Sequence, residues 1–231
     1  MNILQKYLEE RHQEQEKEND YGEPGPVVTI SREFGCSGKF LADKLAFRLN
    51  EAKLGDTAKG KWKVISKEIL EHSAKELELH PSQIEYVFKY EKKSAIDEIL
   101  SALSSKYYKS DRKIKNTIKK MIYTFGHKGN TIILGRGGAT ITRDIESSLH
   151  VRLIAPLNWR TEVIKKRFDY DNKQAREFVL DTDKKRKLLR EEMAGTEIDD
   201  TLYDVFFNAK TFNCDEITDI IIKMMEMRYL I

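Results

Sequence analysis

The chain has 231 residues, 40% of them hydrophobic and 34% charged, with a formal net charge of +3 and a mean hydropathy of −0.59. That length gives one large domain, or a domain with inserts, and ample core to bury; no run approaches a membrane span, and Lys6, Glu9, Glu10 and Arg11 break the start as no signal peptide tolerates. Two cysteines, Cys36 and Cys214, exclude a disulfide framework and cannot hold zinc alone, so the chain reads as a cytoplasmic protein.

Residues 1–26 hold seven acids against three bases and end in Gly22, Pro24, Gly25 and Pro26, the composition of a helical arm followed by a linker. Ile3, Leu4, Tyr7, Leu8 and Arg11 keep helical spacing. The arm would dock on the domain or on a second subunit, or fray as terminal helices do.

Val27 to Ile30 is a β-branched and apolar run, as a strand buried on both faces of a parallel sheet should be. From Gly38 onward Phe40, Leu41, Leu45 and Leu49 recur at helical spacing, so Ser31 to Ser37 is a strand-to-helix turn. Such a junction offers unpaired backbone N–H groups and the positive end of a helix dipole to an anion. Gly35 and Gly38 allow a close approach, Ser37 is placed to cap the helix, and Lys39 adds a charge. The pattern G-x-x-x-x-G-K-[ST] is only partly met: Gly38 and Lys39 fit, whereas Glu33 takes the first glycine position and Phe40 the hydroxyl position. On the loop alone, an ordinary turn with a solvated Lys39 accounts for the residues equally well. Cys36 reads as a small bystander thiol, with no histidine near it in sequence.

Glu51 to Lys61 reads as a surface loop and Trp62 to Ile65 as a short strand. A helix follows over Ser66 to Leu79, with Ile69, Leu70, Ala74 and Leu77 on one face; Pro81 and Ser82 open another segment carrying Ile84, Val87 and Phe88, continued by Ile96, Ile99, Leu100 and Leu103. Lys106 to Lys128 holds eight Lys or Arg against one acid, over an apolar stripe of Ile114, Ile118, Met121, Ile122 and Phe125. This is an amphipathic helix whose basic face is either plainly solvated or a rim for a polyanion.

Thr131 to Leu134 is the next strand, and Gly135, Arg136, Gly137 and Gly138 follow it. That places a guanidinium at the carboxyl end of a sheet strand, the edge where open α/β sheets bind ligands, with a fork suited to phosphate. His150 to Ile154 is a further strand, closed by Ala155 and Pro156. Beyond it, bases from Arg160 through Lys165, Lys166, Arg167, Arg176 and Lys184 to Arg190 alternate with acids, and sparse apolar positions predict two helices joined by Asp-Tyr-Asp-Asn as a basic, mobile flap. Tyr203 to Phe207 forms the last strand and Cys214 to Tyr229 a closing amphipathic helix. The order predicts an α/β doubly wound, three-layer parallel sheet of about five strands with a helical insert and an Arg-rich lid. Right-handed crossovers put the turns after Ile30, Leu134 and Ile154 on one edge.

The motifs ISREFGCSGKFLADKLA, IILGRGG, HVRLIAPLNWR, DTDKKR and YDVFFNAKTFNCDEITDII, in this order and spacing, resemble the cytidylate-kinase-like family of nucleoside monophosphate kinases over nearly all of Val27 to Ile231. The resemblance implies a P-loop kinase-type domain over 27–231, with an acceptor-side insert at 62–130 and a lid at 157–195. It implies transfer of the ATP γ-phosphoryl group to CMP, dCMP or a related nucleotide with Mg2+, and small-molecule nucleotides rather than nucleic acid or membrane as partners. By similarity Gly35, Cys36, Ser37, Gly38, Lys39 and Phe40, with Arg160 and Arg167 of the lid, would hold the donor; Arg136, Asp183 and Arg186 would hold the acceptor; and Lys39, Arg136, Arg167 and Arg186 would neutralise charge during transfer. The chain departs from the family at the sparse glycine loop, at Gly137 where an aspartate follows the Gly-Arg pair, and at Thr182 where an arginine precedes the lid aspartate. A different class, a nucleotide- or RNA-binding regulatory module on the same fold, stays open on the loop and the basic helix; few aromatics beyond Tyr107 and Tyr108 interleave that helix, which counts against single-strand recognition.

Overall fold

The computed structural model describes residues 23–81, 84 and 111–231. The arm over 1–22, most of the segment from Ser82 onward and the start of the basic helix lie outside the described residues.

Five parallel strands run in the order β2-β3-β1-β4-β5: β1 is Val27–Arg32, β2 Lys63–Ile65, β3 Thr131–Leu134, β4 Ser148–Ile154 and β5 Val205–Asn208. The predicted α/β doubly wound sheet is therefore present, with β1 between β3 and β4. Val27 pairs in register with Thr131 on one side and Ser148 on the other, which explains a strand apolar on both faces. The helices are α1 Gly38–Glu51, α2 Glu68–Glu76, α3 Asp111–Lys128, the short α4 Gly138–Ile141, α5 Leu157–Phe168, α6 Asn172–Ala194 and α7 Cys214–Met227. Alternate strand residues feed two cores. Val28, Ile30, Ile132, Leu134 and Val151 pack with Leu41, Leu45 and Leu49 of α1 and Ile217 and Ile221 of α7. Val27, Ile133 and Ile65 pack on the other face with Ile69, Ile114, Ile118 and Ile122.

Several boundaries differ from expectation, each for a local reason. β2 starts at Lys63 because the Trp62 backbone pairs with the Asn50 side chain (2.8 and 3.0 Å) and its indole donates to Leu54 O at 2.7 Å. β4 starts two residues early, since Ser148 and Leu149 already match Val27 and Val28. Helix α2 is shorter than Ser66 to Leu79: the Glu68 carboxylate takes the Ser66 N–H at 2.8 Å, and Glu78 turns left-handed (φ 56°). Tyr203 closes a short 3-10 turn instead of opening β5. The linker is pinned over its described part, as Lys59 Nζ donates to the carbonyls of Glu23 and Gly25 and Ser147 Oγ donates to that of Pro24.

The two basic helices are α5 and α6, joined by the foreseen Asp169-Tyr170-Asp171-Asn172 turn. Asp169 sits left-handed (φ 55°), and Asp171 caps α6 in a reciprocal pair with Gln174. Ile164, Ala175 and Val179 give this hairpin a small core of its own, and Phe34 from the β1–α1 turn packs into it. In this structure the flap is closed onto that turn.

Candidate functional site

The carboxyl ends of β1, β3 and β4 lie side by side, so the turns after Ile30, Leu134 and Ile154 share one edge, as the crossover rule requires. Arg32 ends β1 there. Its side chain lies between the two glycine turns: a Cβ on Gly38 would stand 3.2 Å from Arg32 Cγ and Cδ, and one on Gly135 only 1.9 Å from Arg32 Nη1. Gly135 is itself left-handed at φ 71°, and Arg136 follows at φ 59°. From the lid, Arg186 donates to the Arg32 carbonyl at 3.2 Å and covers the Phe34 ring at 5.1 Å.

Three guanidiniums thus converge. Burial lowers the Arg32 pKa to about 9, helped by the charges of Arg186 and Arg136. Burial also lowers that of Arg186, with Asp183 opposing and Arg190 and Arg136 adding to the effect. No carboxylate is in salt-bridge contact with Arg32 among the described residues. Like charges crowded out of water are costly, and Arg32, held beside two of them with no carboxylate paired to it among the described residues, is placed for an anion. The orphan backbone N–H groups of Lys39 and Phe40, in the first turn of α1, face the same edge.

The expected residues divide into those near this cluster and those used otherwise. Arg136 and Arg186 belong to it. Gly38 makes room for Arg32, while Gly35 (φ 98°) makes room for the backbone of Arg160, whose Cα and O would stand 3.2 Å from a Cβ. Ser37 sits at the helix start but makes no side-chain cap bond. Lys39 Nζ reaches along α1 to both oxygens of Asp43, at 2.9 and 2.8 Å, away from the turn. Phe40 is exposed on the outer face of α1. Arg167 is exposed in the last turn of α5, with no contact to the cluster.

Arg160 and Asp183 face each other as a latch. Arg160 is 6% exposed and donates to Ala155 O at 2.9 Å and Phe34 O at 3.1 Å; it pairs with Glu33 at 3.2 Å and with Asp183. Asp183 also accepts the Phe34 N–H at 2.7 Å, and Glu33 accepts the Ala155 N–H at 3.0 Å. Arg160, expected on the donor, and Asp183, expected on the acceptor, therefore spend their charge on each other and on the turn. Glu33 in the first glycine position has the same explanation: it ties the β1–α1 turn to the β4–α5 turn.

Cys36 is buried beside these groups. Burial first, and the Glu33 carboxylate second, push its thiol up to about 12. At pH 8 iodoacetamide should therefore label Cys36 in the native protein about 10³-fold more slowly than an ordinary thiol, which peptide mapping would measure.

A groove of about 490 Å³ opens at the opposite, amino-end edge of the sheet, lined in part by Thr140, His150, Asp204 and Arg228. The His150 ring bridges Thr29 Oγ1 (2.8 Å) and Ser148 Oγ (3.2 Å), and burial lowers its pKa against the pull of Asp204. It joins β1 to β4 as a neutral polar crosslink, on the side of the sheet away from the Arg32 cluster.

The motif reading passed over Arg32 and gave Glu33 no role beyond occupying the first glycine position. The rule that singled out Arg136, a long cation ending an apolar strand at the ligand edge, applies equally to Arg32.

No curated protein matches this chain. Among solved structures, an uncharacterized protein from Eubacterium ventriosum superposes with a TM-score of 0.60 at 21% identity, covering 87% of this chain and 98% of that one, which shows a shared fold. A shikimate kinase from Bacteroides thetaiotaomicron gives a TM-score of 0.48 at 10% identity, covering 87% of this chain and 98% of that one. A family profile described as cytidylate kinase-like matches residues 27–211, and the chain belongs to that family.

Proposed function

We propose that this protein transfers the γ-phosphoryl group of ATP to CMP, dCMP or a related small nucleotide. The observation that carries the reading is the meeting of Arg32, Arg136 and Arg186 between two glycine turns, under a helical lid. In the reaction an oxygen of the acceptor phosphate bonds to the γ-phosphorus, the bond from that phosphorus to the β,γ-bridging oxygen breaks, and ADP leaves with the electron pair. Protein catalysis of such a step is positioning and charge neutralisation, for which guanidiniums and backbone N–H groups suffice. The lid, seated on Phe34, keeps water from competing as acceptor.

The residues fit the phosphates of ATP but not a protein-held magnesium ion. Glu33 and Asp183 are engaged with Arg160, Phe40 stands where a hydroxyl ligand would be, and no cluster of three metal-ligating side chains occurs among the described residues. Magnesium bound to the nucleotide itself would supply charge neutralisation between its phosphates.

Purified protein given ATP, magnesium and each nucleoside monophosphate in turn should form ADP, with CDP as the product from CMP. Absence of ADP with every monophosphate, from folded protein, would overturn the reading. The outward turn of Lys39 favours one other reading, a nucleotide-binding module without turnover; nucleotide-dependent thermal stabilisation without product would select it.

A further inference from the structure

We propose that the cation gripping the transferred phosphoryl group is Arg32, at the end of β1, and that Lys39 of the loop does not serve this purpose. The inference rests on the anion-transfer reading above and assigns a role that the loop motif gives to a different residue.

Lys39 pairs with Asp43 one turn further along α1, and both side chains are largely exposed, at 73% and 49%. An exposed pair of this kind is weak, so it does not by itself hold Lys39 away. The aliphatic part of Arg32 lies against Gly38 and its Nη1 against Gly135, so its guanidinium fills the gap between the two turns through which a loop lysine would reach a phosphate. Glycine at both places is what admits it, since a Cβ at Gly135 would overlap Nη1.

Among the described residues no carboxylate pairs with the Arg32 charge. Arg160, the more deeply buried of the two, is matched by Glu33 and Asp183, whereas the charges that act on Arg32 among the described residues are two more guanidiniums, which with burial pull its pKa down. A fork-shaped donor in that place would take a terminal phosphate through two parallel hydrogen bonds, a geometry that an ammonium on a flexible stem does not impose.

The test uses the full chain with inorganic tripolyphosphate as probe, followed by thermal shift and calorimetry in phosphate-free buffer. Lys39→Met should bind tripolyphosphate within threefold of the wild type, and Arg32→Met at least thirtyfold more weakly. Without the probe Arg32→Met should melt no lower than the wild type, because one of three crowded like charges has gone; a purely structural arginine would lower the melting point instead. Lys39 is exposed, so Lys39→Met folds whatever its role and decides the matter even if Arg32→Met does not fold: near wild-type binding supports the proposal, and a tenfold loss overturns it. Wild-type affinity in Arg32→Met, or no binding by the wild type, also overturns it. Arg32-dependent binding without turnover on any monophosphate would remove the kinase reading and leave Arg32, in place of Lys39, as the contact to the terminal phosphate.

Discussion

Replacing Asp183 with alanine should remove about 3 kcal/mol of folding free energy and open the lid to protease. The reason is the company Asp183 keeps. It answers the 6%-exposed Arg160 and accepts the Phe34 N–H at 2.7 Å, so alanine leaves a buried guanidinium short of charge and an amide without its acceptor. Breaking one partner out of a buried pair costs about 3–5 kcal/mol, and the low end applies because Arg160 keeps Glu33 at 3.2 Å and two carbonyls. Asp183→Asn, which retains an acceptor for Phe34 but not the charge, should lose roughly half as much. Urea unfolding measures the loss. Limited trypsin digestion measures the opening, because Lys184, Lys185, Arg186 and Lys187 lie just beyond the latch. An unchanged urea midpoint would mean that the Phe34–Phe178 edge contact (5.1 Å) and the lid's own core hold the hairpin down unaided.

The latch also marks where sequence reading stops being informative. β1, β3 and β4 were legible because they are largely buried on both faces and so carry β-branched and apolar residues with few interruptions, β3 stopping at Gly135 and β4 at Ala155 and Pro156. The common edge of their turns followed from crossover handedness, which needs no knowledge of side chains. The lid hairpin showed itself through sparse apolar positions and an Asp-rich turn, both local signals. The partners of Arg160 did not. Glu33, Phe34 and Asp183 are far apart along the chain, and an arginine that meets a nucleotide carries the same letter as one that meets an aspartate.

The loop shows the same limit at closer range. A lysine after a glycine, at the start of a helix, fits a phosphate contact, yet Asp43 four residues on offers an equally natural local partner. Pattern alone does not rank the two. Ser37 is a similar case: a residue type suited to capping sits at the helix start, but its backbone (φ −77°, ψ 51°) is not the extended geometry from which a cap bond forms. Arg32 lay unnoticed inside a motif quoted for its glycines. What identifies it is the space those glycines leave, which only three-dimensional packing reveals.

That space can be removed with a single methyl group. Gly135→Ala should lower kcat/KM for phosphoryl transfer about 10²–10³-fold while the protein stays folded. Alanine at φ 71° carries about 1–2 kcal/mol of backbone strain, well within the stability of a domain this size. The added Cβ, however, would stand 1.9 Å from Arg32 Nη1, so the guanidinium must leave the gap, and Arg136 on the next residue shifts with its strained turn. Misplacing charge-bearing groups by about 1 Å is enough for losses of this order. Gly195→Ala supplies the comparison: φ is 74°, and nothing lies within 4 Å of its added Cβ. It should carry the same strain, read as a similar fall in melting temperature, without the loss in kcat/KM. Equal losses in both variants would assign the Gly135 effect to strain alone, and full activity in Gly135→Ala would remove Arg32 from the reaction.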